Sequence, residues 1–176
     1  MPSPRLVASL FPLAAVVFSA AFIAVEHFTG GVKTHHFLAR EDLPGFSNWL
    51  SLFILPVLGM VVGFRAHALC LKQTVRKLPA EFTAAVAGSL LYGAILAGSF
   101  LFGFEQVTVA MFFSLFLISI VFPVYRSEYS FGFVTGMTIA FGSVIPLAFS
   151  AVFSAASFVA RRVATLVVTA IRKPRR

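Results

Sequence analysis

The sequence predicts an all-α integral membrane protein, a compact bundle of about five hydrophobic helices followed by an amphipathic basic C-terminal helix. Three observations predict it. Apolar residues make up 59% of the 176 and charged residues only 11%, against roughly a quarter charged in soluble domains. Mean hydropathy is +0.95. Five stretches contain no Asp, Glu, Lys or Arg at all, near 6–25, 43–64, 82–104, 106–125 and 129–160. A helix needs about 20 apolar residues to cross a hydrocarbon core of about 30 Å. Helices are the expected spans because lipid offers backbone N–H and C=O groups no partner. The alternation a β-barrel requires is absent. The composition excludes an ordinary soluble enzyme, a disordered chain and a conventional nucleic-acid-binding domain.

The stretch 6–25 follows Arg5. Its 20-residue uncharged core exceeds the 7–15 or so of a signal peptide's core, so we read it as a retained helix. Pro12 within it, and Pro56 within 43–64, predict local kinks. Leu43-Pro44-Gly45 reads as a turn, after which Ser47 or Asn48 can cap the incoming helix and Trp49 falls at interface depth. Arg65 to Glu81 groups Lys72, Gln73, Arg76 and Lys77 on one face, opposite Leu71, Val75 and Leu78, and reads as a cytoplasmic interfacial segment. Glu105 and Gln106 form a tight solvated connection between 82–104 and 106–125. The 22 Phe, against three Tyr and one Trp, fill space toward lipid and neighbouring helices without needing hydrogen-bond partners.

The stretch 129–160 has 32 residues, about 48 Å of helix and more than one crossing needs. Gly142, Ser143 and Pro146 supply a breakpoint near its middle. Basic residues favour the cytoplasmic side. Five simple crossings divide the 14 Lys and Arg six to eight, whereas entry and return of the last stretch divides them 12 to two. The expectation is therefore two cytoplasmic termini, in a bacterial inner membrane, with a re-entrant or surface-lying final segment. A tilted fifth crossing is the rival. Ser150, Ser154, Ser157, Arg161, Thr165, Thr169 and Arg172 form one polar stripe at helical spacing. It suits an amphipathic helix at the membrane surface, its basic end, the tail 161–176 with Arg161, Arg162, Arg172 and Lys173, meeting anionic headgroups. The other reading is that Ser150, Ser154 and Ser157 line a polar path in an oligomer.

Small residues predict where helices meet. Gly59 and Gly63 are four apart in one span. Ala85, Ser89, Gly93 and Ala97 form a ladder in the next, and Gly132, Gly136 and Ala140 a third. Intramolecular packing can use all three, and self-association is the alternative. No ionisable group falls at midplane depth, which weighs against a proton- or sodium-coupled transporter. Cys70 is the only cysteine, so thiol–disulfide exchange within the chain is excluded. It suits inert packing, with palmitoylation as the other role.

One polar cluster carries catalytic-type residues: the loop after the first helix, with Glu26, His27, His35, His36, Arg40, Glu41 and Asp42. Imidazoles and carboxylates suit a divalent first-row metal. However, no spacing places two of them on one helix face, so the simpler reading is a solvated loop. No cofactor is otherwise expected. The functional expectation is a small polytopic protein that acts by binding, as a self-associating or accessory subunit of a membrane assembly. Its partners are the bilayer and another membrane protein or a second copy, with no nucleic acid. The alternatives are an oligomeric channel with a Ser-lined path and a membrane enzyme using His27, His35, His36, Glu41 and Asp42.

Overall fold

A computed structural model describes residues 3–36, 42, 44–72 and 78–172, with the side chains of 170–172 excepted. Among the described residues are six helices: α1 (Pro4–Phe28), α2 (Ser51–Lys72), α3 (Ala80–Leu101), α4 (Glu105–Val121), α5 (Ser127–Phe141) and α6 (Val144–Arg172). Between α1 and α2 lies a two-stranded antiparallel hairpin, β1 (Thr34–His36) and β2 (Gly45–Ser47), then a single 3-10 turn over Asn48–Leu50. Helices α1, α3, α6 and α2 with its preceding turn are long and apolar enough to cross a membrane; α4 is apolar but shorter. Phe53, Phe64, Phe113 and Leu117 are among many large apolar side chains exposed on the bundle's outside. Water-soluble monomers do not present apolar surface on that scale.

The stretch 129–160, expected as the fifth hydrophobic helix, is two elements, and the expected breakpoint near its middle falls at Gly142. Gly142 adopts φ +65°, a left-handed conformation that suits glycine, and its N–H bonds to Thr138 O to close α5. Ser143 O accepts from Leu147 N in the first turn of α6. Helix α6 then continues without interruption through Arg161 and Arg162, so 161–172 extends a bundle helix. The hairpin was not expected either. Its strands have three residues each, too short for alternation to register.

Helix entries follow familiar rules. Ser3 caps α1, its hydroxyl accepting from Leu6 N, with Pro4 in the first turn where the missing N–H costs nothing. Ser47 rather than Asn48 caps the 3-10 turn, accepting from Trp49 N. Glu81, Glu105 and Glu128 each occupy a first turn, where a carboxylate complements the helix dipole. Gly103, at φ +72°, turns the chain from α3 into α4.

Two tight helix pairs form the centre. In the first, α1 and α2 run antiparallel. Gly59 lies against Phe11 O and Pro12 Cα, each 2.9 Å from where its Cβ would stand, and Gly63 meets the carbonyl oxygen of Ala8. Pro12 has no N–H to give Ala8 four residues earlier, so this carbonyl is free of the helix ladder and Gly63 makes room for it. In the second pair, α3 and α5 run parallel. Gly132 lies on Ser89 and Val86, Gly136 on Leu90 and Ala94, and Gly93 on Phe133 O. All three small-residue faces are thus occupied within one chain. Ala97 and Ala140 are buried with them.

Phe11 joins the pairs through edge-to-face contacts with Phe82 (5.8 Å) and Phe131 (6.0 Å). An ion pair between Arg65 Nε and Glu128 Oε2 (2.8 Å) ties α2 to the start of α5. Helices α4 and α6 pack on the outside of the second pair. Phe112 and Phe116 of α4 meet Phe149 and Phe153 of α6 at 5.0–6.1 Å. Tyr92 of α3 bonds to Met111 O and Ser114 Oγ of α4. We call the end holding the α1 N-terminus basal and the hairpin end distal.

Candidate functional site

Three polar arrangements stand out from the apolar background. The first is distal. Glu26, at the end of α1, is 7% exposed and accepts from Asn48 Nδ2 (2.8 Å) and Lys33 N (3.3 Å). Asn48 is 2% exposed, and its Oδ1 occupies the place a Cβ on Gly142 would take. Ser51 Oγ bonds to Ser143 Oγ at 3.0 Å. The loop, the start of α2 and the α5–α6 turn are therefore joined by one buried polar plug. His35 rests on it, with Cδ2 3.6 Å from where a Gly142 Cβ would stand. Burial pushes its imidazole below the ordinary value of 6.5, Glu26 opposes that shift and Lys33 adds to it.

These contacts separate the loop residues singled out as a metal set. His35 lies toward Gly142, whereas His36 lies over Gly45 within the hairpin, its Cε1 2.9 Å from the Cβ position there. Successive strand residues point to opposite faces. His27 is exposed and packs edge-on against Phe28 (5.4 Å). Asp42 is exposed, and Glu41 lies outside the described residues. Among the described residues, no three of His, Cys, Asp and Glu gather as a metal site. Cys70 is fully buried.

The second arrangement involves the polar stripe. Ser154 Oγ donates to Val124 O (3.1 Å), Ser157 Oγ to Phe122 O (2.9 Å) and Arg161 Nη2 to Val121 O (2.8 Å). Helix ends leave carbonyls without intrahelical donors, and this stripe supplies donors to the end of α4 and its exit. Ser150 is buried between α6 and its neighbours. Farther along, Thr165 and Thr169 return their hydroxyls to their own helix, on Arg161 O and Thr165 O. The Arg162 guanidinium stands 5.2 Å over the Phe158 ring. Arg172 ends α6 with its side chain outside the described residues, as is Lys173.

The third arrangement is a half-open cavity of about 620 Å³ between the α3/α5 pair and α4 with α6. Gly93, Gly132 and Gly136 draw α3 and α5 together on one side of it, and aromatic contacts join α4 to α6 on the other. Ala85, Leu115, Ile118, Phe133 and Phe153 form its apolar walls. Gly88 also lines it, and a Cβ there would meet nothing within 4 Å. The basal mouth is polar, with Glu81, Arg126, Tyr129 and Ser130. The charges of Arg126, Glu128, Arg161 and Glu81 all reach Tyr129. Glu128, 2% exposed, is already matched by Arg65. Among the described residues, Arg126 and Glu81 have no ion-pair partner, and the Tyr129 and Ser130 hydroxyls have no internal hydrogen-bond partner.

Of these mouth residues the sequence reading singled out none. Glu81, Arg126 and Tyr129 border apolar stretches and read there as ordinary boundary residues. They meet only because α3 and α5 are parallel neighbours starting at the same end. Gly88 offered a weak signal, falling one residue off the ladder through Ser89. No protein-family model matches the chain, and neither a curated protein nor a solved structure matches it.

Proposed function

We propose that this chain is a non-catalytic membrane protein that acts by binding, as an accessory or regulatory subunit whose working element is the cavity between α3, α4, α5 and α6. The observation that carries the reading is a cavity of about 620 Å³ left open in a bundle whose small-residue faces are otherwise filled. Its volume falls in the range of about 300–1,000 Å³ for small-molecule sites, and its mostly apolar lining with a few convergent polar groups is typical of them. The surroundings suit a bilayer, since four helices have the length and apolarity to cross one.

We infer a bacterial inner membrane with the basal end, and both termini, in the cytoplasm. Of the 14 Lys and Arg, only Lys33 and Arg40 belong to the segment between α1 and α2, which fits the positive-inside bias. The filled small-residue faces weaken self-association as the mode of action. The hydrogen bonds of Ser154 and Ser157 to the end of α4 likewise weaken a Ser-lined channel.

Photolabelling in liposomes with a diazirine-bearing fatty acid tests the cavity. Label concentrated on Ala84, Gly88, Leu115 and Ile118, and lost in Gly88→Leu, is the expected result. Label spread evenly over outward residues such as Phe53, Phe64 and Leu117 would reject the reading.

A further inference from the structure

The cavity's mouth has a charge pattern that specifies more than an apolar ligand. Resting on the reading of the cavity as a binding site, we propose that its occupant is one hydrocarbon chain of a zwitterionic aminophospholipid. The phosphate is held by Arg126, Tyr129 and Ser130, and the primary ammonium by Glu81.

The size of the space selects a chain over a helix. A helix about 10 Å across fills on the order of 400 Å³ per 5.4 Å turn, so about 620 Å³ would seat fewer than two turns of a partner. A hydrocarbon chain is thinner, and Gly88 leaves open space along the α3 wall where it would lie. Ala85, Leu115, Phe133 and Phe153 give that chain apolar contacts on all four helices.

The mouth selects the headgroup. Arg126 lines the cavity ahead of the first turn of α5, and Glu81 lines it from the first turn of α3. No ion pair joins the two among the described residues, so each keeps its charge for something between them. Arg161 is engaged with Val121 O but adds positive potential at Tyr129. With Glu128 matched by Arg65, Arg126 and Arg161 outweigh Glu81 by one charge. A guanidinium fork with two hydroxyl donors suits a phosphodiester. The lone carboxylate beside it suits an ammonium and disfavours a purely anionic headgroup. The basal end also carries Arg5 and Lys72, which suit the surface of an anionic leaflet, so the phosphate plane lies at the right depth.

The test is native mass spectrometry of delipidated full-length protein titrated with dioleoyl-phosphatidylethanolamine or dioleoyl-phosphatidylglycerol. Wild type should take up one phosphatidylethanolamine with an affinity about fivefold above phosphatidylglycerol, the scale of a partly exposed ion pair. Gly88→Leu should abolish uptake. Gly98→Leu is the control, because a Cβ at Gly98 also meets nothing within 4 Å and Gly98 does not line the cavity; it should bind as wild type. Arg126→Ala should weaken both lipids by about tenfold or more, as for loss of a charge-assisted contact. Glu81→Gln should abolish the preference between them. Uptake that Gly88→Leu removes but that is equal for both lipids and indifferent to Arg126→Ala and Glu81→Gln would overturn the headgroup assignment while leaving the cavity as a binding site. Uptake unaffected by Gly88→Leu, or no uptake by wild type, would overturn both.

Discussion

The same chemical change, Gly→Ala, should move stability in opposite directions at Gly88 and Gly136, and the structure gives the size of the difference. Both residues lie inside helices, where replacing Gly by Ala gains about 0.8–1 kcal/mol of backbone propensity. At Gly88 a Cβ meets nothing within 4 Å, so the gain is uncontested and G88A should be stabilised by about that amount. At Gly136 the new atom would stand 2.7 Å from Ala94 N and closer still to Leu90 O. Those are backbone atoms, which cannot rotate away, so α3 and α5 must part. Overpacking of a filled core costs about 1–3 kcal/mol, and a backbone obstacle belongs at the upper end. The net expectation for G136A is a loss of about 2 kcal/mol, and the two variants should differ by about 3 kcal/mol. Unfolding in mixed micelles of rising SDS fraction, followed by circular dichroism, reads both midpoints on one scale. G63A should side with G136A, because its Cβ would run into the Ala8 carbonyl. Equal shifts at positions 88 and 136, or a stabilised G136A, would refute the packing described for the α3/α5 pair. Leucine at 132 or 136 should then unfold the monomer rather than only separate one copy from another.

Three further outcomes are expected. Arg65→Ala should cost about 1–3 kcal/mol, less than the 3–5 or so for a fully buried pair because Arg65 is 38% exposed. A double-mutant cycle with Glu128→Gln should show the coupling. At the distal plug, Asn48→Ala removes the 2.8 Å bond to Glu26 and should cost about 1–3 kcal/mol, with faster amide exchange across 34–36 and 45–47. Acid should have a related effect through His35. Its folded value lies below the unfolded 6.5, so the unfolded chain binds its proton first as pH drops. The docking contribution is complete above 6.5 and is lost as pH falls below it. Hairpin exchange, corrected for intrinsic rates, should therefore accelerate as pH falls below 6.5 and do so less in His35→Gln.

The long apolar helices were legible in the sequence because they rest largely on unbroken apolar stretches, a signal that needs no tertiary information. The break at Gly142 was legible too, since the stretch is longer than one crossing needs and Gly142, Ser143 and Pro146 lie together near its middle. What lay beyond reach was partnership. The ladder through Ser89 and Gly93 identified a close-packing face, but the face on α5 that fills it could not be chosen from the sequence. The stripe Ser154, Ser157 and Arg161 was visible as a stripe, but its acceptors are main-chain carbonyls of residues 121, 122 and 124, which carry no sequence signal. Asn48 was read as a cap because caps are local. Its actual partners, Glu26 and the Gly142 turn, are far away in the chain. The cavity is the extreme case, since a void is defined by what the surrounding helices do not fill.

The most direct test of the central claim, that this protein works by holding a ligand in the α3–α6 cavity, is a native mass spectrum of the full-length chain extracted gently from its own membrane, wild type beside Gly88→Leu. The account predicts a single stoichiometric amphiphile on wild type and a bare polypeptide for the variant, with matching circular dichroism spectra. The same adduct on both proteins, or a bare wild type, would contradict it.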